Sequence, residues 1–186
     1  MAASATPALF LDRDGVINVN HGYVYKPRDV DFIDGIFGLI KRFNDAGYKP
    51  VIITNQSGIA RGMYSEDEFF HVMDLFQIEF KKCGIGTIPV YFCPHHPEYG
   101  EHNDCDCRKP KPGLFTLAAT EQNIDMARSI MIGDKLTDAI AASRAGVGRF
   151  VLFDPMGEEE TKLASHRNQI TTPMVQVVHT LDDINP

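Results

Sequence analysis

Hydrophobic and polar positions alternate in blocks along the chain. Ala8-Leu9-Phe10-Leu11 is a short apolar run that stops at acidic residues. Leu39, Phe37, Ile40 and Phe43 recur at helical spacing, and that pattern ends near Gly47. Val51-Ile52-Ile53 is a second buried-strand run. Ser65 and Glu68 have the spacing of a capping box, and a helix is predicted from there to Lys82. Its apolar face is Phe69, Val72, Met73, Phe76 and Phe80. Val90-Tyr91-Phe92 is a third strand and Leu114 to Gln122 a helix. Ile130-Met131-Ile132 is a fourth strand, Ala139 to Ala145 a helix, and Phe150 to Phe153 a fifth strand. Val175 to Val178 forms a short sixth. Residues 154–174 are polar and weakly patterned, which suits a loop or a short helix.

Strands that alternate with helices predict an α/β fold with a mostly parallel sheet covered by helices. Ligands of such folds gather outside the carboxyl ends of the strands. The polar motifs follow that rule. Asp12 follows the first strand, Thr54 and Asn55 the second, Cys93 the third and Asp134 the fourth.

The chain has 186 residues, a length that suits one domain, 1–186, with its own core. No apolar run approaches the roughly 20 residues of a membrane span. Met1 to Pro7 has no basic segment and no long apolar stretch, so no secretory leader is expected there. The formal net charge of −7 disfavours general nucleic-acid binding. Three of the four cysteines lie between Cys93 and Cys107, which suggests metal rather than disulfides and a reducing, cytoplasmic setting. A monomer is the default expectation.

Four motifs carry chemistry. In Asp12-Arg13-Asp14-Gly15, a continuing strand would turn both carboxylates to one side and Arg13 to the other. Paired carboxylates can divide the work of nucleophile and general acid. The plain alternative is an acidic strand end and a turn. Thr54-Asn55-Gln56-Ser57-Gly58 offers a hydroxyl, amides and backbone N–H groups as an anion cradle, or is a polar loop. Arg108-Lys109-Pro110-Lys111 places three bases in four positions. Gly133-Asp134-Lys135, with Asp138 four residues after Asp134, suits Mg²⁺. Alternatively Asp134 or Thr137 caps the helix that follows.

Cys93-x-His95 and Cys105-x-Cys107 make a set of three thiolates and one imidazole, the composition of a closed tetrahedral zinc site. Spacing alone does not choose among His95, His96 and His102. Cys83 lies outside the cluster and is expected to be a packed or idle thiol.

Taken together, Asp12-x-Asp14, Thr54, Lys109 and Asp134 resemble the four motifs of the haloacid dehalogenase superfamily, from about Leu9 to about Phe153. A closer resemblance is to the heptose-1,7-bisphosphate phosphatases. It rests on Phe10 to Asn18, His21-Gly22-Tyr23-Val24, Thr54 to Gly62, Cys93-Pro94-His95-His96-Pro97 and Cys105 to Pro110. Histidinol phosphatases share part of this set.

The resemblance implies a three-layer Rossmann-like αβα fold without a large cap domain. In place of the cap stands a zinc-stabilised loop, about 93–107, ligated by Cys93, His95, Cys105 and Cys107. It implies that Asp12 is the nucleophile and Asp14 the general acid and base. Thr54 and Lys109 hold the phosphoryl group, and Mg²⁺ sits at Asp12, Asp14 and Asp134. The implied substrate is a sugar bisphosphate. Asn20, His21, Gly22 and Tyr23 border the sugar, with Asn55, Gln56 and Ser57 near the phosphate. Arg108 and Lys135 grip the distal phosphate. The 7-phosphate would be removed, in synthesis of ADP-heptose for lipopolysaccharide core, with the β anomer favoured. Arg61 has no assigned role. The alternatives are a histidinol-phosphate phosphatase and, from a different class, a non-catalytic zinc-stabilised binding module.

Overall fold

The computed structural model describes residues 4–102 and 104–186. Met1–Ala3, the start of the segment expected to lack a leader, lie outside the described residues. Six strands form one wholly parallel sheet: β1 (Ala8–Leu11), β2 (Lys49–Asn55), β3 (Val90–Cys93), β4 (Ile130–Gly133), β5 (Arg149–Phe153) and β6 (Met174–Val178). Their order is β3-β2-β1-β4-β5-β6. The chain leaves β1 for β2 and β3 on one side, then returns at β4 to build the other side. The ends of β1 and β4 are therefore the point where strand order reverses, and the connecting loops part there to leave a crevice.

Alternation along the strands divides the core in two. Leu9 and Leu11 of β1 face α1 (Ile36–Asp45) and α2 (Glu66–Lys82). Ala8 and Phe10 face α3 (Gly113–Gln122) and α4 (Leu136–Arg144). All four β1 residues are fully buried, as a strand covered on both faces requires. The predicted capping box is present at α2. Ser65 Oγ accepts the Glu68 N–H at 3.1 Å, and the Glu68 carboxylate accepts the Ser65 N–H at 2.9 Å. Glu66, Asp67 and Glu68 at its start and Lys81 and Lys82 at its end also suit the helix dipole. Among the described residues no helix is long and apolar enough to cross a membrane.

Two expectations change and one open alternative resolves. α4 starts at Leu136, three residues before the predicted start, and neither Asp134 nor Thr137 caps it. Lys135 is its cap residue, and its N–H donates to the Asp138 carboxylate at 3.1 Å. Residues 154–174 contain a short helix, α5 (Glu160–Ser165). The Asp154 carboxylate starts it by accepting the N–H groups of Glu158, Glu159 and Glu160. Third, the strand stops at Leu11, so Asp12, Arg13 and Asp14 do not alternate sides. The Arg13 guanidinium comes round onto Asp14 instead.

Candidate active site

The crevice at the ends of β1 and β4 opens into a cavity of about 310 Å³. It brings together Asp12 and Asp14, Asn20, Gly22 and Tyr23, Thr54 to Ser57, Arg108 and Lys109, and Lys135. These residues come from four segments: the connection after β1, the end of β2 with the turn beyond it, the stretch before α3, and the turn after β4. His21, placed by resemblance in the sugar segment, does not line the cavity. Its ring pairs with Asp31 at 2.7 Å on the surface.

Lys109 is the electrostatic centre. Its side chain is buried, and its ammonium donates to the Ile53 carbonyl at 2.9 Å, to Asp12 Oδ1 at 3.0 Å and to Asp138 Oδ1 at 2.7 Å. Those three bonds use its three protons. Burial alone would pull its pKa down, but the charges of Asp12 and Asp138 outweigh burial and raise it. Asn55 fixes the backbone here by a reciprocal pair: Asn55 Nδ2 donates to the Lys109 carbonyl and Asn55 Oδ1 accepts the Lys109 N–H, both at 3.1 Å.

Asp12, Asp134 and Asp138 offer carboxylate oxygens within 4.8 Å of one another. Burial first, then the charges of Asp12 and Asp138, push Asp134 up to about 8. Its Oδ1 is buried with no hydrogen-bond partner among the described residues. An unpaired buried carboxylate oxygen beside two further carboxylates is a set of hard donors that suits Mg²⁺. Gly15 makes the approach possible. Its φ is +91°, and a Cβ there would stand 2.2 Å from Asp134 Oδ2.

Asp14 occupies a different environment. Arg13 forks onto it, Nε to Oδ2 at 3.0 Å and Nη2 to Oδ1 at 2.7 Å. Asn18 Nδ2 donates to Oδ1 at 3.0 Å and Gln56 Nε2 to Oδ2 at 3.1 Å. Gln56 Nε2 also donates to Thr54 Oγ1 at 2.9 Å, and its Oε1 accepts the Tyr64 hydroxyl at 2.7 Å. Burial pushes Tyr64 up to about 12, so it stays a donor and sets which way the amide faces.

In the loop that precedes Arg108, Cys93, His95, Cys105 and Cys107 place three sulfurs and one imidazole nitrogen within 4.8 Å of one another. His102 stands beside His95, with ring centroids 5.4 Å apart, outside this group, and His96 bonds Arg61 instead. Burial pushes Cys93 up. Cys105 is pulled down to about 7 against its own burial, chiefly by its bond with Cys107 and by the Arg108 N–H. Three soft sulfurs and an imidazole form the donor set of a closed metal site, and a cation there would relieve the crowding of thiols. The last sulfur adjoins Arg108, whose Nη1 donates to the His95 carbonyl at 3.1 Å. Cys83 is exposed and far from use as a ligand.

Sequence reasoning left out Asp138, Asn18, Tyr64 and the role of Arg13. Only Asp138 had a signal, its spacing of four from Asp134 at the head of a helix. The others act through partners that meet only in the fold.

The fold and this constellation define the class. The chain belongs to the haloacid dehalogenase-like hydrolases, whose family model matches residues 5–146. Within them it belongs to the D-glycero-β-D-manno-heptose-1,7-bisphosphate 7-phosphatase family. The protein of that name from Vibrio cholerae serotype O1 is 47% identical over 167 residues, 87% of this chain and 90% of its own. D,D-heptose 1,7-bisphosphate phosphatase from B. bronchiseptica, solved with magnesium and phosphate, superposes with a TM-score of 0.77 at 26% identity, covering 94% of this chain and 93% of that one. The Burkholderia thailandensis enzyme gives 0.61 at 28% identity, over 94% and 93%.

Proposed function

We propose that this chain removes the 7-phosphate of D-glycero-β-D-manno-heptose 1,7-bisphosphate, leaving the 1-phosphate, as a step toward ADP-heptose. The observation that carries the reading is Asp12 in the cavity wall, between the buried Lys109 ammonium and the Asp134 carboxylate. A carboxylate brought to about 4 Å from a phosphate dianion meets about 8 kcal/mol of repulsion at an effective dielectric of about 20. The neighbours of Asp12 are what such an approach needs. Asp12, Asp134 and the main-chain carbonyl of Asp14 would hold Mg²⁺. When bound, it supplies positive charge that offsets the repulsion and polarises the phosphoryl oxygens.

Asp12 attacks phosphorus and forms an acyl phosphate. The bond from phosphorus to the sugar oxygen breaks, its electron pair stays on oxygen, and Asp14 supplies the proton. Asp14 then takes a proton from the water that attacks the acyl phosphate, which frees phosphate and restores Asp12. Thr54 holds a phosphoryl oxygen, and Lys109 does so once its ammonium releases one of the three bonds that occupy its protons. The two oxygens of Asp14 accept four hydrogen bonds, so one donor must withdraw before it carries a proton. Gln56, which has Thr54 and Tyr64 as other partners, is the donor placed to give way.

Asn20, Gly22 and Tyr23 border the sugar, Arg108 takes the distal phosphate bidentately and Lys135 adds a point charge. Cys93, His95, Cys105 and Cys107 would hold zinc, which would fix Arg108 and Lys109 in place. A monomer is the working unit in this reading, and thiols kept for metal suit the cytoplasm.

The test is phosphate release with Mg²⁺ from the α and β anomers of the bisphosphate and from histidinol phosphate. The β anomer should lead in kcat/KM by orders of magnitude, and Asp12→Asn should abolish turnover in a folded protein. A lead for histidinol phosphate would overturn the substrate, and near-normal turnover by Asp12→Asn would overturn the nucleophile.

A further inference from the structure

Arg13 stands between the two aspartates in sequence and is 1% exposed. A buried guanidinium is costly to desolvate, and an apolar residue of similar volume would serve packing as well. What it does here is geometric. Its Nε and Nη2 fork onto both oxygens of Asp14, and Nη2 also donates to the Val24 carbonyl at 2.8 Å. Its guanidinium lies over the Phe69 ring, 5.7 Å from the centroid. Val24 is buried and follows directly on Asn20, Gly22 and Tyr23, which line the cavity.

We propose that Arg13 is the positioning residue of Asp14, setting its carboxylate against the sugar-facing segment rather than against the end of β1. The proposal rests on the reading of Asp14 as acid and base. Bidentate pairing fixes both the place and the plane of a carboxylate. A lysine, with a point charge and no fork, fixes neither. The Arg13 side chain does not touch the nucleophile; only its main-chain N–H does, donating to Asp12 Oδ1 at 2.8 Å, and side-chain substitution leaves that bond in place. The effect of its guanidinium on the chemistry passes through Asp14, which needs its geometry only when a proton must move, while the bond to the Val24 carbonyl anchors the guanidinium itself.

Leaving groups separate this from general damage. A sugar oxygen leaves poorly without a proton, whereas p-nitrophenolate leaves without one. Arg13→Lys, Asp14→Asn and the double variant are compared on the heptose bisphosphate and on p-nitrophenyl phosphate, with rapid mixing to resolve the first p-nitrophenol released.

Arg13→Lys should lose about 10²-fold in kcat on the sugar bisphosphate, the scale of general acid catalysis, with KM within a few-fold. Its initial release of p-nitrophenol should fall less than about tenfold, followed by slow turnover as the acyl phosphate waits for its base. In the Asp14→Asn background, Arg13→Lys should add almost nothing.

Equal losses on both substrates, or additive losses in the double variant, overturn the proposal. If Asp14→Asn itself fails to separate the two substrates, the reading of Asp14 falls and the proposal with it. If Asp14→Asn separates them and Arg13→Lys does not, only the proposal falls. Arg13→Gln keeps length and a donor, and replaces Arg13→Lys if that protein melts below assay temperature.

Discussion

Replacing Lys109 by methionine keeps most of the side-chain volume and removes the charge. At an effective dielectric of about 20, the ammonium attracts Asp12 at 3.0 Å and Asp138 at 2.7 Å by about 5–6 kcal/mol each, before desolvation. Desolvation cancels much of that sum. Breaking a buried pair by deleting one partner nevertheless costs about 3–5 kcal/mol, because the other charge stays buried. Here the stranded group is Asp138, 1% exposed. Urea unfolding of Lys109→Met in magnesium-free buffer should therefore show a loss of about 3–5 kcal/mol. Burial raises the pKa of Asp138, so the deficit should shrink toward pH 5 as carboxyls take protons. Turnover should fall about 10³-fold, the rate equivalent of about 4 kcal/mol for one charge about 4 Å from the phosphoryl group. A variant within 1 kcal/mol of the parent at pH 8 would refute the view that Lys109 neutralises this cluster.

Three further outcomes are expected. Asp134 rises from 3.8 unfolded to about 8 folded, so the fold binds that proton more tightly. Stability without magnesium should fall as pH rises from about 4 to about 8, and saturating Mg²⁺ should flatten the slope; identical slopes would contradict it. The scan uses magnesium-free buffer without chelator, which would also strip the thiolate cluster. Gly15→Ala forces a left-handed φ, about 1–2 kcal/mol, and drives a methyl group into Asp134. It should raise the Mg²⁺ concentration for half-maximal activity at least about tenfold, where an unchanged titration argues against Asp134 as a ligand. Arg108→Ala should raise KM for the bisphosphate far more than for a heptose monophosphate, and equal effects would remove its role at the distal phosphate.

The apolar runs of β1 to β5 were legible because a parallel sheet buries both faces, and continuous apolar stretches have few other uses. Asp12, Thr54 and Asp134 were legible because each follows such a run, and Lys109 because it stands in a run of bases and prolines. The start of α4 was misjudged because its first turn is polar and its cap is a carboxylate reaching back three residues. Tyr64 and Asn18 were invisible for another reason. Tyr64 matters through its bond to Gln56, and Asn18 through its bond to Asp14 inside one irregular turn, and no periodicity records either. Arg13 was read from strand alternation, which fails once β1 ends at Leu11. His21 shows the reverse error, where a motif neighbour was carried along although its side chain turns to Asp31.

The loop from Cys93 to Cys107 can be weighed in conformational entropy. Thirteen residues lie between these sulfurs, and fixing their backbone costs roughly 13–26 kcal/mol at about 1–2 kcal/mol each. A structural zinc ion in a small peptide returns about 10–16 kcal/mol, comparable but not clearly enough. The remainder comes from ties to the body of the fold. Gln56 and Ala60 donate their N–H groups to the Cys93 and Pro94 carbonyls, Lys111 reaches the Cys105 carbonyl, and the Gly113 N–H reaches Asp106. With a metal bound, the loop would be ordered jointly by metal and scaffold. Its melting should be a separate, metal-dependent event below global unfolding, and Arg108 at its end would lose its tie to the His95 carbonyl while the sheet remained intact.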